Sequence, residues 1–160
     1  MSEVRLLFVC MGNICRSPTA EAVMRDLVAQ AGLDHAVTID SAGTGGWHAG
    51  DPPDPRSVAA AARRGILVGG AARQVTVADF DAFDLLLAMD RANARELRAR
   101  APHAGASSKV RLLREFDRAG AGDLEVPDPY YGGGDGFDHV LDLVEAACRG
   151  LLDDVRLRLA

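Results

Sequence analysis

The sequence predicts an α/β fold, a three-layer sandwich in which a four-stranded parallel twisted sheet lies between helices on both faces. Short apolar runs alternate along the chain with amphipathic helical patterns, and this alternation is typical of parallel strands joined by right-handed crossovers. The run Leu85-Leu86-Leu87 is entirely apolar, as expected for a central strand that is covered on both faces. With 160 residues, 48% of them hydrophobic and 26% charged, the chain suits a single domain spanning residues 1–160.

The first strand and the first helix follow each other directly. The apolar run 6–9 predicts the strand, and the helix begins with Ser17 as its N-cap and Pro18 at its first position. Apolar residues then recur at three- and four-residue steps, which marks one buried face, and Gly32 ends the helix.

A second strand and a second helix complete the first half of the chain. The strand covers residues 37–41. The helix covers residues 56–64, because Asp54 is a good N-cap, Pro55 suits the first position and Gly65 stands just past the end.

The second half repeats this alternation. A third strand covers residues 84–88, and Asp90 caps a helix that stops near Pro102. A fourth strand covers residues 109–113, and an apolar stripe over 137–159 predicts a long closing helix.

The composition disfavours several classes of function. A net charge of -5 argues against nonspecific nucleic-acid binding, and no segment approaches the ~18 apolar residues of a membrane span. The first ten residues lack a basic leader and a small-residue cleavage site, and an odd number of cysteines argues against a disulfide framework. We therefore expect a cytoplasmic protein that binds neither nucleic acid nor a membrane, with export without a signal peptide left open.

The loop between the first strand and the first helix is the candidate functional site. Ligands of parallel sheets bind beyond the carboxyl ends of the strands, and the turn at Gly12 and Asn13 can aim backbone N–H groups at an anion. Cys10 at the bottom of this cradle is favoured as the nucleophilic thiolate, and Arg16 can grip two oxygens of the anion. The alternative for Cys10 is a small hydrophobic residue that is buried at a strand end.

The residues from Cys10 to Pro18 closely resemble the phosphate-binding loop of the low-molecular-weight protein tyrosine phosphatases. The resemblance continues along nearly the whole chain through Ser41-Ala42-Gly43-Thr44, Trp47-His48, Ala88-Met89-Asp90 and Asp128-Pro129-Tyr130-Tyr131. It implies hydrolysis of phosphotyrosine and aryl phosphate monoesters through a cysteinyl-phosphate intermediate. Cys10 is then the nucleophile, Arg16 the clamp on the transition state and Asp128 the general acid and base.

The assignment of Asp128 also has a chemical reason. The loop supplies a nucleophile and donors but no proton for the leaving oxygen, and the pair Asp128-Pro129 places a carboxyl group on a stiffened loop. The alternative is an ordinary turn formed by these two residues.

We expect the loop and a set of aromatic walls to bind the substrate. The loop residues predicted to do so are Met11, Gly12, Asn13, Ile14, Cys15 and Ser17. Trp47, Tyr130 and Tyr131 fall on loops predicted to meet at the site, where a deep slot favours phosphotyrosine over the shorter phosphoserine. The alternative is that these aromatic residues only pack, and His48 is either a second rim contact or an exposed loop residue.

Three polar residues are candidates to hold the loop in shape. The amide of Asn13 can bond neighbouring loop groups, and the hydroxyl of Ser17 can donate to the sulfur of Cys10. The resemblance adds Ser41 to this network, and plain capping or turn formation is the alternative for both serines. The chain departs from the family at Gly69-Gly70, where many members carry a histidine that supports the asparagine.

The remaining cysteines differ in their expected roles. By the resemblance, Cys15 is the second cysteine, which forms a protective disulfide with the nucleophile; a redox switch and a packed thiol are equal alternatives. Cys148 lies on the apolar stripe of the last helix and is expected to fill the core.

We expect no cofactor and no metal, because no cluster of His, Cys and Asp has metal-ligand spacing. The expected partners are phosphotyrosine-containing proteins, with a cognate tyrosine kinase as a further candidate, and the protein is expected to be a monomer. Thioredoxin-coupled arsenate reductases share the fold and the loop but need two further cysteines, and none occurs in residues 71–90. A noncatalytic phosphate-binding module would not need both Cys10 and Asp128.

Overall fold

The computed structural model describes residues 1–120, 122–130, 132 and 135–160. The strands in this part of the chain are β1 (Val4–Cys10), β2 (Val37–Gly43), β3 (Leu85–Ala88) and β4 (Val110–Leu112). They pair in parallel in the order β2-β1-β3-β4, which confirms the predicted four-stranded sheet. Because β1 is a central strand, its carboxyl end at Cys10 lies between the carboxyl ends of β2 and β3.

Helices cover both faces of this sheet. They are α1 (Arg16–Gln30), α2 (Pro55–Ala62), α3 (Asp79–Ala82), α4 (Arg91–Arg100), α5 (Ala104–Ser107) and α6 (Asp135–Leu159), with a 3-10 helix at Leu113–Phe116. No helix in the described residues has an apolar stretch long enough to cross a bilayer.

The side chains of β1 alternate between two hydrophobic cores. Leu6 and Phe8 belong to the core that contains the apolar faces of α1 and α6, whereas Leu7 and Val9 belong to the core beneath α4, with Leu97. Successive residues of a strand point to opposite faces, so one strand supplies both cores. This arrangement gives the three layers that the sequence predicts.

The predicted start of α1 is wrong. The N-cap position is occupied by Cys15, without a side-chain capping bond, and the helix begins at Arg16. Ser17 and Pro18 therefore lie within the first turn, where proline is tolerated because its missing N–H would have no partner inside the helix. The hydroxyl of Ser17 is used elsewhere, since it contacts the sulfur of Cys10.

The other caps agree with the sequence. Asp54 and Asp90 accept the backbone N–H of Arg56 and of Asn93, each at 2.8 Å. The remaining predicted element boundaries differ from the observed ones by no more than two residues. The helices α3 and α5 were not predicted, because four residues are too few to display a helical period.

Candidate active site

The loop that joins β1 to α1 turns around the sulfur of Cys10. Asn13 has a φ of 58°, the left-handed conformation expected for this turn, and its backbone N–H points at Cys10 Sγ over 3.3 Å. Cys10 is 3% exposed and lines a cavity of about 60 Å³. Since α1 begins directly after this loop, its N-terminus adds partial positive charge beside the cavity.

Arg16 is a fixed cation in the same cavity. It is 3% exposed, and its Nη1 donates to Asp90 Oδ2 at 2.6 Å and to the carbonyl oxygen of Val126 at 3.1 Å. Burial opposes its charge, but the sulfur of Cys10 and the carboxylate of Asp90 outweigh burial, so the pKa of Arg16 is raised. The other terminal nitrogen, Nη2, lies 3.7 Å from Asp128 Oδ2. An oriented guanidinium of this kind can hold the oxygens of a phosphoryl group.

Asp128 lines the cavity together with Cys10 and Arg16. Its Oδ1 accepts the backbone N–H of Tyr130 at 3.0 Å, so the turn that was the alternative interpretation does form. Its Oδ2 faces Arg16, and 33% of the side chain is exposed. One oxygen therefore shapes the turn, and the other faces Arg16 in the cavity.

A chain of hydrogen bonds supports the loop from behind. The side-chain nitrogen of Asn13 donates to Ser17 Oγ at 2.8 Å and to Ser41 Oγ at 3.0 Å, and its Oδ1 accepts the backbone N–H of Arg73 at 3.0 Å. Ser17 Oγ in turn lies 3.0 Å from Cys10 Sγ. Because Ser17 Oγ already accepts from the amide of Asn13, its own proton is available to the sulfur.

Glu21 completes this chain, although it is not among the site residues predicted from the sequence. Ser41 Oγ donates to Glu21 Oε1 at 2.6 Å, so the oxygen of Ser41 keeps a lone pair for the amide of Asn13. Glu21, Ser41 and Asn13 line a small cavity of about 80 Å³ that Gly69 and Gly70 leave open. The signal was present in the sequence, because residues four apart in a helix share a face and Glu21 lies four residues after Ser17.

Asp90 was predicted only as a helix cap and proves to have two roles. Its Oδ1 caps α4 through Asn93, while its Oδ2 holds Arg16. No pattern in the sequence distinguishes a capping aspartate that also binds an arginine far away in the sequence, and here the two residues are 74 positions apart.

The two other cysteines are buried. Cys15 borders the active-site cavity, and burial raises the pKa of its thiol to about 12, with the charge of Asp54 acting in the same direction. Cys148 lies in the core that includes α6, as predicted, and burial raises its pKa as well.

The walls of the cavity differ in part from the predicted slot. The predicted loop residues that line it are Met11, Gly12, Ile14 and Cys15, whereas Asn13 and Ser17 turn to the network behind the loop. Tyr130 lines the cavity and His48 stands opposite, with 6.4 Å between the ring centroids. Trp47 is 73% exposed and lines a neighbouring groove instead. Tyr131 lies outside the described residues.

Comparison with known proteins agrees with this geometry. Residues 5–159 match the family model described as low molecular weight phosphotyrosine protein phosphatase. A low molecular weight protein-tyrosine-phosphatase of Streptomyces coelicolor is 56% identical over 153 residues, which cover 95% of this chain and 93% of the relative. The human low molecular weight phosphotyrosine protein phosphatase is 40% identical over 149 residues, which cover 92% of this chain and 93% of the relative.

Solved structures resemble the whole fold. A protein tyrosine phosphatase from Entamoeba histolytica with Hepes in the active site superposes with a TM-score of 0.93 at 40% identity, and 99% of this chain and 100% of that chain are covered. Vibrio vulnificus Wzb in complex with benzylphosphonate superposes with a TM-score of 0.82 at 28% identity, and 94% of this chain and 98% of that chain are covered. The chain belongs to the low molecular weight phosphotyrosine protein phosphatase family.

Proposed function

We propose that this protein-tyrosine-phosphatase hydrolyses phosphotyrosine and aryl phosphate monoesters through a cysteinyl-phosphate intermediate. The observation that carries the proposal is that a single cavity is lined by Cys10, Arg16 and Asp128. A nucleophile, a cation for the equatorial oxygens and a proton donor are the three groups that phosphoryl transfer from a phenol requires.

In the first step, the sulfur of Cys10 attacks phosphorus and the bond from phosphorus to the phenolic oxygen breaks. Asp128, in its acid form, gives its proton to the departing oxygen. The loop N–H groups and Arg16 hold the three equatorial oxygens as the charge on them redistributes. The products of this step are a phenol and a phosphoryl group on Cys10.

In the second step, the carboxylate of Asp128 takes a proton from water as the water oxygen attacks phosphorus. The bond between sulfur and phosphorus breaks, and inorganic phosphate and the thiolate of Cys10 result. The N–H of Asn13 and the hydroxyl of Ser17 both lie near this sulfur, at 3.3 Å and 3.0 Å, and stabilise it as a leaving group.

The depth of the site supports selectivity for phosphotyrosine. Cys10 and Arg16 are both buried, and Tyr130 and His48 stand above them. A phenyl ring can bridge these walls and still bring phosphorus to the sulfur, whereas the short side chain of phosphoserine cannot. Wzb from Vibrio vulnificus binds benzylphosphonate, an arylmethyl phosphonate of comparable reach.

We further propose that residues 1–160 form one domain that acts as a monomer on phosphotyrosine-containing proteins, with a tyrosine kinase among its candidate substrates. In the described part of the chain, no group of three or more His, Cys, Asp or Glu side chains could hold a metal ion.

The test compares phosphotyrosine and phosphoserine peptides in the presence of a chelator, together with acid quenching during turnover. We expect hydrolysis of the phosphotyrosine peptide alone. Mass spectrometry should find that the mass of the peptide containing Cys10 is higher by roughly 80 Da, the mass of one phosphoryl group in the covalent intermediate. Cys10→Ser should abolish turnover. Turnover that survives in Cys10→Ser would reject the mechanism.

A further inference from the structure

Asp128 lies in a short segment with a proline on each side of it. Pro127 and Pro129 restrict φ along this segment, and neither has an N–H to donate. We call residues 126–130 the Asp128 segment. Because the segment is stiff but has few backbone donors of its own, the contacts at its two ends determine where the carboxyl group of Asp128 lies.

The first end of the Asp128 segment is bonded to the sheet edge and to the active-site arginine. The backbone N–H of Val126 donates to the carbonyl oxygen of Met89, directly after β3, at 2.8 Å. The carbonyl oxygen of Val126 accepts from Nη1 of Arg16 at 3.1 Å. This end is therefore fixed two residues before Asp128.

The second end, at Tyr130, is contacted by the guanidinium of Arg56. The central carbon of this guanidinium lies 5.3 Å from the centroid of the Tyr130 ring and 4.8 Å from that of Phe137. Both distances are within the ~6 Å range of a cation–π interaction. Phe137, at the start of α6, is 4% exposed and belongs to the hydrophobic core. One cation therefore joins a ring of the Asp128 segment to a ring of the core.

Asp54 holds the guanidinium of Arg56 in this position. Its Oδ1 accepts from Nε of Arg56 at 3.1 Å and its Oδ2 accepts from Nη2 at 2.8 Å, which is a bidentate ion pair. The hydrogen bonds from Arg56 lower the pKa of Asp54, so the pair remains charged near neutral pH. The backbone N–H of Asp54 donates to the carbonyl oxygen of Ile14 at 2.8 Å. Arg56 is thus oriented from the loop that also carries Cys10.

The position of Arg56 indicates an indirect role. Asp128 and Tyr130 line the active-site cavity, whereas Arg56 does not. Arg56 can therefore affect the reacting atoms only through the residues that it holds, and the ring that it holds lies two residues after the proton donor.

We propose that Arg56 is a positioning residue that keeps the carboxyl group of Asp128 directed at the leaving oxygen of the substrate. It does so by stacking on Tyr130, while Asp54 and Phe137 fix its guanidinium. The inference rests on the proposed function, because it needs Asp128 as the general acid. It deepens that function by naming the contact that sets the position of the acid.

The first test measures kcat/KM for phenyl phosphate and for nitrophenyl phosphate, whose leaving group departs without a proton. This ratio reports the first step, in which Asp128 donates its proton. Arg56→Ala should lower the value for phenyl phosphate by about five- to tenfold, the scale of two lost cation–π contacts, and that for nitrophenyl phosphate by less than about twofold. Arg56→Lys keeps the charge beside Asp54 but loses the planar stack, so it should show the same selective loss to a smaller extent.

Arg111→Ala is the matched control. Arg111 lies 5.0 Å from the centroid of the Phe116 ring and pairs with Glu115, and its side chain is 42% exposed against 47% for Arg56. The substitution removes the same kinds of contact at a residue that does not line the cavity. The values of kcat/KM for both aryl phosphates should therefore stay unchanged.

The second test combines Arg56→Ala with Asp128→Asn. Because Asp128→Asn removes the proton that Arg56 serves to position, Arg56→Ala should cause no further loss on phenyl phosphate in this background. Inorganic phosphate should inhibit the wild-type enzyme and Arg56→Ala equally, since the backbone bond between Asp54 and Ile14 remains.

Three outcomes would overturn the inference. They are equal losses on the two aryl phosphates in Arg56→Ala, no loss on phenyl phosphate, and losses that multiply in the double variant. Equal losses on both aryl phosphates in Asp128→Asn alone would instead reject the general acid of the proposed function, so the two failures are distinguishable.

Discussion

At Asp128, the two oxygens of one carboxyl group have separate tasks. Oδ1 fixes the turn through Tyr130 and Oδ2 faces the cavity. Asp128→Asn preserves an acceptor for the turn but cannot deliver a proton, so kcat on phenyl phosphate should fall ~100-fold or more. The loss should be much smaller for an aryl phosphate with a good leaving group, because such a phenolate departs without a proton. Equal losses across a series of leaving groups would contradict the assignment.

Glu21 acts through Ser41 and Asn13 and is therefore a positioning residue. Glu21→Ala removes the acceptor that orients the hydroxyl of Ser41, and the loss of one hydrogen bond to a charged group predicts a kcat lower by about tenfold. The KM should change little, and Glu21→Gln should recover part of kcat because its amide oxygen still accepts. Arg25→Ala is the matched control, since Arg25 pairs with the other oxygen of Glu21. An unchanged kcat in Glu21→Ala would contradict a positioning role for Glu21.

The thiol of Cys15 determines how any redox switch depends on pH. Its pKa of about 12 means that the neutral thiol predominates near pH 7, and the reactive thiolate increases about tenfold per pH unit below that pKa. After oxidation of Cys10 by peroxide, disulfide closure with Cys15 should therefore accelerate steeply between about pH 7 and pH 9. Trapping of the Cys10 sulfenic acid with dimedone at successive times measures this rate. A rate independent of pH would exclude Cys15 as the attacking thiol.

Residue types and spacing revealed the groups of the site that are close in sequence. Cys10, Asn13 and Arg16 belong to one loop, and the local rules for turns and helix starts predicted their convergence. The contact of Glu21 with Ser41 and the second role of Asp90 depend on how distant elements pack. The spacing of Glu21 from Ser17 indicates only the face of α1 on which Glu21 lies. Trp47 was expected in the slot because it is aromatic and near, but its ring lies on Gly45, outside the cavity.

At the scale of elements, the segment that leads into α3 is tied to the active-site loop. The backbone N–H of Arg73 supports Asn13, while its guanidinium pairs with Asp79 of α3 at 3.0 Å. Burial alone would raise the pKa of Asp79, but Arg73 and the N–H of Thr76 outweigh it and hold the pKa below its usual value.

This ion pair predicts a pH-dependent contribution to stability. The contribution of Asp79 is complete above about pH 4, the pKa of an unfolded aspartate, and it is lost as the pH falls through the lower pKa of the folded state. Asp79→Asn should reduce the free energy of unfolding by about 1 to 3 kcal/mol at pH 7, and the difference should shrink below about pH 3. Urea unfolding at both pH values measures it. Asp81→Asn, on the exposed side of α3, is the control and should have no effect at either pH.

Elements with a clear period or an unbroken apolar run could be predicted, and the four-residue helices α3 and α5 could not. The period of α6 and the apolar run of β3 are properties of the chain itself, and both elements appear where they were expected. The start of α1 shifted because the loop around Cys10 continues directly into helical geometry, so Ser17 bonds to the sulfur instead of a free N–H. Here the requirements of the site prevail over the usual preference for serine at an N-cap.

At the scale of the whole molecule, the cavity lies where four parts of the fold meet. Arg16 lies in the first turn of α1, directly after the loop that follows β1. It contacts the cap of α4 and the segment at 126–128. An anion bound there should therefore stabilise the fold as a whole. Because Arg16 is held by groups from separate elements, binding to it is coupled to global rather than local unfolding.

The stabilisation by a bound anion can be measured with inorganic phosphate. At 100 times its Kd, a ligand that binds only the folded state adds about 2.7 kcal/mol to the free energy of unfolding, which corresponds to roughly 5 to 10 °C in Tm for a chain of this size. Cys10→Ser should keep this shift, since the loop N–H groups and Arg16 remain. Arg16→Lys should reduce it because an ammonium group cannot grip two oxygens, and Arg16→Ala should nearly abolish it. The shift with phosphate is compared within each variant, because loss of the guanidinium also leaves Asp90 without its partner. A full phosphate shift in Arg16→Ala would mean that the anion binds elsewhere on the molecule.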